Sequence, residues 1–319
     1  MVRFGILGAG NIARRFATSL AHEDRASLVA ASCRSTSKAA AFLDGVPHDK
    51  AARAYGSHEE LLADDGVDAI YLALTHDLHH EWALRALRAG KAVLCEKPAM
   101  LTAAQMEEVA QMARDEGVLF MEAMKPRFTP LYVQARKALD KIGELRHVEA
   151  TLCNDMLNMV EGTGSYHMTP GPGAGVLLDC GTYCASWIED LCAQDFKVVR
   201  AECVRKGGVD VYVDALLDCG GIEARLECAF DRAKPRTATI VGTHGTLVVD
   251  ELHRPQAARL CINGATEQTI DAPYVVDDFF GEISHFVGLM EAGNEESDVM
   301  SLESSVRCAA ILDAVRAAM

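Results

Sequence analysis

The chain's first chemically readable feature is Gly8-Ala9-Gly10-Asn11-Ile12-Ala13, which follows the apolar run Val2–Leu7 and opens a helical stretch from Asn11 to about Ala21. In a strand–turn–helix setting Gly8 permits the tight turn, Gly10 lets a pyrophosphate approach the backbone, and Ala13 lets the helix pack closely on the strand. The amides around Ala9, Asn11 and Ile12 sit at the positive end of the helix dipole and favour phosphate. The pattern points to a dinucleotide; a tight turn without ligand is the plain alternative. The end of the second strand selects the dinucleotide, because an NAD site places an acid there to accept from the ribose hydroxyls. The tract Ala31-Ser-Cys-Arg34-Ser35-Thr-Ser-Lys38 has no acid. Arg34 can stack on adenine and pair with a 2′-phosphate, helped by Ser35 and Lys38, so NADP(H) is expected over NAD(H). Alternatively Arg34 merely covers a loop.

These residues need a scaffold, and the hydrophobic pattern supplies one. Strands are expected at Val2–Leu7, Leu28–Ser32, Asp68–Leu74, Ala92–Cys95 and Val118–Glu122, in a set of about six, with helices between them. Ser57–Glu60 and Thr102–Gln105 read as capping boxes, and Gly90 and Gly117 as helix terminators. Strands alternating with helices imply right-handed βαβ units and a doubly wound parallel sheet, a Rossmann domain over residues 1–123. The rhythm then changes. Helices are expected at Pro130–Ile142 and Val176–Cys192, and strands at Lys197–Arg205, Asp210–Asp218, Ile222–Phe230, Thr237–Val241 and Thr246–Asp250. Glycine pairs at 207–208 and 220–221 suit hairpins, so a large open, mostly antiparallel sheet is expected in a second α/β domain over 124–319. Helices at Asp278–Ala292 and Leu302–Ala318 close the chain, and the boundary is expected as a compact hinge near residues 122–128.

Composition narrows the function. A length of 319 residues exceeds what one core usually fills. The 46 acidic against 31 basic side chains leave a formal charge of −15, which argues against a nucleic-acid partner. No run approaches the roughly 18 apolar residues of a membrane span. The N-terminus begins directly with a strand, with no room for a secretory signal, so the eleven cysteines read as reduced thiols of a cytoplasmic protein.

Cys95-Glu96-Lys97-Pro98, at the end of the fifth strand, together with Gly8–Ala13, His79-His-Glu-Trp82, Met121-Glu-Ala-Met-Lys-Pro-Arg-Phe-Thr-Pro130 and Gly175-Val-Leu-Leu-Asp179-Cys-Gly181-Thr-Tyr183, resembles the glucose–fructose oxidoreductase / inositol dehydrogenase (Gfo/Idh/MocA) family along essentially the whole chain. The endings Glu282-Ile-Ser-His-Phe286 and Ser301-Leu-Glu303 are also similar to it. The Arg127-Phe128 and Asp179-to-Tyr183 segments resemble most the branch of dimeric dihydrodiol dehydrogenase and NADP-dependent D-xylose dehydrogenase. The resemblance implies that the C-terminal sheet supports cofactor and substrate on one face. It implies a homodimer, or dimer of dimers, through the other. It places Lys97 beside nicotinamide and substrate hydroxyl, with Tyr183 and Asp179 as the branch's tyrosine and aspartate and Glu96 beside the cofactor. Leu74-Thr75-His76 stands where the family has Thr-Pro-Asn, with the proline replaced by Thr75; His79 matches the family histidine that anchors this cofactor-side loop. Arg127 matches an arginine that either positions the hinge or binds substrate.

The chemistry agrees with these roles. Moving hydride to or from a carbonyl carbon makes or removes alkoxide charge, so a proton carrier and positive charge are needed. A free tyrosine titrates near 10, and an ammonium such as Lys97 would lower that value. Asp179 and Tyr183 are spaced i, i+4 on an expected helix and can share one face. Tyr183 then carries the proton with Lys97 as electrostatic partner, or Lys97 carries it; Asp179 orients the pair or the substrate. Taken singly, the three have bland readings as a snorkelling lysine, a core tyrosine and a helix cap. His167, in the Gly/Pro-rich loop 162–175, either reaches substrate or is a solvated loop histidine, and the loop suits a cleft wall. No metal site is expected from His76, His79 and His80, which lack a further ligand at suitable spacing. Cys180 and Cys184 read as buried thiols.

The leading function is therefore an NADP(H)-dependent oxidoreductase acting on a sugar or polyol, with trans-dihydrodiol oxidation as the alternative within the enzyme class. A non-catalytic dinucleotide-binding redox sensor would have little need for Lys97, Asp179 and Tyr183 together.

Overall fold

The computed structural model describes residues 1–160, 165–192 and 195–319. The chain forms two compact units, one of Met1–Met100, Ala104–Met124 and Val275–Ser305, the other of Leu101–Ala103, Lys125–Tyr274 and Val306–Met319. It changes unit between Met124 and Lys125, and returns to the first at Val275, a step that two consecutive domains do not contain.

The first unit is built from strands β1 (Val2–Leu7), β2 (Ala26–Ser32), β3 (Arg53–Tyr55), β4 (Ala69–Leu72), β5 (Ala92–Glu96) and β6 (Phe120–Ala123). Between them run helices α1 (Asn11–Leu20), α2 (Thr36–Leu43), α3 (His58–Leu62), α4 (His76–Arg88) and α5 (Ala103–Glu116). All the pairings are parallel, in the order β3-β2-β1-β4-β5-β6. Every residue of β4, β5 and β6 is buried, as strands covered on both faces must be. The order reverses at β1, with β2 on one side and β4 on the other, so the ligand crevice of such a sheet opens at the carboxyl end of β1.

Several local readings are adjusted by the structure. In this sheet the strand that the sequence does not mark is β3, whose three residues carry no apolar run. Ser57 caps α3 by accepting from the Glu60 amide at 3.2 Å, but the Glu60 carboxylate reaches the Gly56 amide, also at 3.2 Å, one residue before the expected partner. α4 starts at His76, because extended Thr75 is its N-cap and Asp77 supplies an acid in the first turn. The returning segment adds a further helix over Phe280–Ala292, which packs on β1 and α1: Phe286 lies 5.7 Å from Phe4 between ring centroids, and Ser19 Oγ donates to Asp277 at 2.8 Å.

In the second unit Thr129 caps α6 (Pro130–Ala138), which runs into a 3-10 turn at Leu139–Lys141. The strands are β7 (Leu145–Cys153), β8 (Phe196–Lys206), β9 (Val209–Cys219), β10 (Ile222–Ala229), β11 (Thr237–Gly242), β12 (Gly245–Asp250), β13 (Ala257–Ile262) and β14 (Ala265–Asp271), in the order β14-β13-β12-β11-β7-β10-β9-β8. Only β7 with β10 is parallel. A short helix α7 (Leu157–Val160) follows β7, and α8 (Thr182–Leu191) packs on β7 and β10. One face of the sheet is apolar: Val213, Ala215, Leu226 and Cys228 are fully buried. The expected single helix over Val176–Cys192 is instead a π-helical turn at Leu177–Gly181 followed by α8. The helix over Phe280–Ala292 is α9, and α10 spans Leu302–Ala318. Among the described residues no helix is long and apolar enough to cross a membrane.

Candidate active site

At the carboxyl end of β1 the two loop glycines answer to different constraints. Gly8 has φ +94°, and a Cβ there would lie 2.6 Å from the Ala73 carbonyl oxygen, so only glycine fits. Gly10 has an ordinary backbone, and a Cβ there would meet nothing within 4 Å. Gly10 is also the N-cap of α1 and offers no side-chain cap, nor is there an acid in the first turn. The amide end of α1 at Asn11 and Ile12 thus opens beside unfilled space, an arrangement that fits a phosphate. Ala13 is fully buried, as close helix–strand packing requires.

At the end of β2, Cys33 occupies the stretch where an acid would hold a ribose, and its sulfur accepts from the Ala9 amide. Burial pushes its thiol upward, so the group is neutral near pH 7. Arg34 and Lys38 are exposed and, among the described residues, form no ion pair. Ser35 is the N-cap of α2 and accepts from the Lys38 amide at 3.4 Å. Its hydroxyl therefore shapes the start of α2.

The loop Leu74-Thr75-His76 is tied to the turn after Lys97 by one imidazole. His79 is fully buried, with Nε2 3.1 Å from the Leu74 carbonyl oxygen and Nδ1 3.1 Å and 3.2 Å from those of Pro98 and Ala99. Burial holds its pKa below the ordinary value, against the pull of these carbonyls. His76 is itself buried, while His80 turns to Glu108 at 2.9 Å. Among the described residues no three His, Cys, Asp or Glu side chains converge as a metal set.

Lys97 lies at the carboxyl end of β5, partly exposed, and the Lys97–Pro98 peptide is cis. Two neighbours that the sequence did not single out fix this end. The Tyr71 hydroxyl donates to Glu96, whose other oxygen accepts the Lys97 amide at 3.3 Å. Glu122, 3% exposed on β6, accepts the Ala99 amide at 2.9 Å. Glu96 is itself 7% exposed, so its carboxylate orients the backbone around Lys97.

In the second unit the π-turn carries Asp179 and the first turn of α8 carries Tyr183. The simple i, i+4 helical spacing therefore does not apply, because the two residues straddle the change of helix type. Tyr183 is 8% exposed and stands 5.9 Å from the ring of His253 between centroids, a neighbour that no sequence signal marked. His167 is partly buried: its ring lies 3.9 Å from that of Tyr166 between centroids, tilted by 36°, and its Nδ1 lies 3.9 Å from Asp179 Oδ2. Residues 162–164 of its loop lie outside the described residues. Cys184 is fully buried and its thiol donates to the Glu227 carbonyl. Cys180 is likewise buried. Arg127 is 2% exposed; its Nε donates to Ser186 Oγ at 2.9 Å and its Nη2 to Glu189 at 2.5 Å. These bonds tie Arg127 to α8.

Residues 2–124 match the family described as oxidoreductase family, NAD-binding Rossmann fold, and residues 132–248 match the GFO/IDH/MocA C-terminal domain. The chain is 32% identical over its full length to scyllo-inositol 2-dehydrogenase (NADP(+)) of Bacillus subtilis, covering 97% of that protein. It is also 32% identical to trans-1,2-dihydrobenzene-1,2-diol dehydrogenase of Mus musculus, covering all of this chain and 97% of that protein. Its fold matches that of a 3-ketoreductase from Actinomadura kijaniata, solved in complex with NADP and TDP-benzene, with a TM-score of 0.88 at 28% identity, covering 99% of this chain and 97% of that one. The chain belongs to the Gfo/Idh/MocA family. It is an NAD(P)-dependent oxidoreductase.

Three histidines of the first unit, His79 buried and His58 and His285 half-buried, set its response to acid. Burial lowers the pKa of His58, which shares a hydrogen bond with Ser32 at 2.7 Å, of His79, and of His285, which shares one with Ser297 at 2.8 Å. The unfolded chain takes up these protons at the ordinary value of 6.5, before the folded one does. Their contribution is thus complete above that pH and is lost as pH falls through the lower folded values, at up to ~1.4 kcal/mol per pH unit for buried His79 and less for half-buried His58 and His285, which water screens. The urea midpoint is expected to fall between about pH 7.5 and 5.5, above the range where carboxylates titrate. A constant midpoint across that window contradicts the assignment.

Proposed function

We propose that the protein is an NADP(H)-dependent dehydrogenase or reductase, moving hydride between nicotinamide and a secondary alcohol or its carbonyl on a sugar or polyol. The observation that carries the cofactor reading is the open amide end of α1 at Gly10, together with exposed Arg34 and Lys38, which form no ion pair among the described residues, where an acid would select NAD. Asn11 and Ile12 would hold the pyrophosphate by their amides, Arg34 the 2′-phosphate, and Leu74–His76 would flank the nicotinamide half. When bound, the cofactor supplies or accepts the hydride. The rest of the chemistry falls to the chain's own side chains.

Tyr183 holds the proton that the alcohol oxygen loses or the alkoxide gains. Lys97 supplies the positive charge that steadies the alkoxide. Asp179 orients the substrate. The family names support a polyhydroxylated ring as substrate: one relative acts on scyllo-inositol and another on a dihydrodiol. All eleven cysteines are free thiols, in keeping with a reducing compartment such as the cytoplasm.

The homodimer, or dimer of dimers, is proposed to form through the sheet face opposite α8. There the side chains form an ordered polar ladder: Arg225 donates to Asp214 by two bonds of 2.9 Å and to Glu149 at 3.2 Å, and the Tyr212 hydroxyl donates to Glu227 at 2.9 Å. Such a flat, preorganised surface suits a second copy. Sedimentation of the full chain at micromolar concentration should give a dimer or tetramer, and a monomer there removes this interface.

With NADP+ and scyllo-inositol, D-xylose or trans-1,2-dihydrobenzene-1,2-diol as substrates, Lys97→Ala and Tyr183→Phe are each expected to lower turnover about 10²–10⁴-fold with NADPH affinity retained. Near-normal turnover in both rejects the acid–base pair. Arg34→Ala is expected to weaken NADPH by about 1.5–3 kcal/mol and NADH far less, as read by fluorescence titration. Equal losses would mean that Arg34 serves only the adenine.

A further inference from the structure

The loop that carries His167 is built to return to the turn of Asp179. The Gly175 amide donates to the His167 carbonyl at 3.0 Å, and the Asp179 amide donates to the Gly175 carbonyl at 3.3 Å, so one glycine links both residues through its backbone. That glycine cannot be replaced without strain. Its φ is +103°, and a Cβ would lie 2.0 Å from Asp210 Oδ1, whose partner oxygen accepts the Leu177 amide at 2.8 Å. The His167 ring is held from the sides as well. It lies against the Tyr166 ring at a tilt of 36° and stands 6.3 Å from the fully buried Phe230 in an edge-to-face arrangement. This leaves Nδ1 3.9 Å from Asp179 Oδ2, with the two side chains 21% and 20% exposed, whereas neighbouring Cys180 and Phe230 are buried. Cys180 Sγ approaches the same oxygen at 3.9 Å.

A polar pair at the edge of a buried shell, fixed through the backbone at both members, is an arrangement for aiming a carboxylate. We infer that His167 is a positioning residue that acts through Asp179. Its δ nitrogen restrains the carboxylate so that Asp179 meets the substrate in one orientation. At 3.9 Å the pair is at ion-pair rather than hydrogen-bond distance, so the restraint is electrostatic. The inference rests on the reading of Asp179 as the residue that orients the substrate.

The test is a double-mutant cycle on the full chain with NADP+ and scyllo-inositol, reading kcat, KM and, separately, NADPH affinity. His167→Ala is expected to lower kcat/KM by about tenfold to a hundredfold with NADPH affinity and thermal midpoint unchanged. His167→Asn, which keeps a donor at the δ position, is expected to recover most of that loss, and His167→Gln to recover little. Combined with Asp179→Asn, His167→Ala should add almost nothing, because a residue that acts through Asp179 has no effect once the carboxylate is gone. The ¹⁵N shift of His167 Nδ1 should also move in Asp179→Asn. Full activity in His167→Ala, or additive losses, overturns the inference while the role of Asp179 stands. Wild-type turnover in Asp179→Asn, or no turnover by the wild-type enzyme, removes the reading of Asp179 and this inference with it.

Discussion

One fully buried imidazole carries the geometry of the first unit's reactive edge. His79 spans from the carbonyl after β4 to the carbonyls after β5 and so ties two loops that the sheet alone would leave independent. The ring is a rigid spacer between these loops, and in its neutral form its single N–H donates to the carbonyls on one side while the other nitrogen only abuts its neighbour. Replacing it with an apolar ring would strand buried carbonyls, and an unpaired buried polar group costs about 1–3 kcal/mol. Glu122 holds the Ala99 amide and Glu96 the Lys97 amide, so Lys97 rises from a turn whose backbone is fixed from three directions. Precision at a lysine with a long flexible stem must come from its base, and here it does.

The legibility of the fold followed the strength of its local signals. Buried parallel strands such as Val93–Cys95 are continuous apolar runs, and their period announces them. β3 has no such run, and only pairing with β2 makes it a strand. β7 includes Arg146, His147 and Glu149; it was invisible because its partners, β10 and β11, lie more than 70 residues away. β13 and β14 are a different case. Asn263 and Gly264 both have positive φ and form the kind of dipeptide that marks a two-residue hairpin, so this pair carries a local sequence signal.

The candidate site divides the same way. The glycine loop, Lys97, Asp179 and Tyr183 belong to motifs whose order along the chain carries information. Tyr71, Glu122 and His253 matter through contacts across the sheet or between distant loops, which no spacing rule encodes. The π-turn under Asp179 belongs with them, since the hydrophobic pattern of Val176–Cys192 suits one unbroken α-helix. An extra residue in a turn moves every later side chain around the axis, which is how a helix can present two polar groups at an angle that regular spacing forbids.

Gly8 and Gly10, two residues apart, separate two kinds of selection. The fold itself forbids a side chain at position 8, because the backbone twist and the Ala73 carbonyl leave no room. At position 10 the protein makes no such demand, since the space above it is clear. Foldability and ligand recognition are therefore written on different letters of the same short motif. A lineage that gave up the dinucleotide would be free to drift at position 10 while position 8 stayed glycine, and the pair would read as a fossil of lost chemistry.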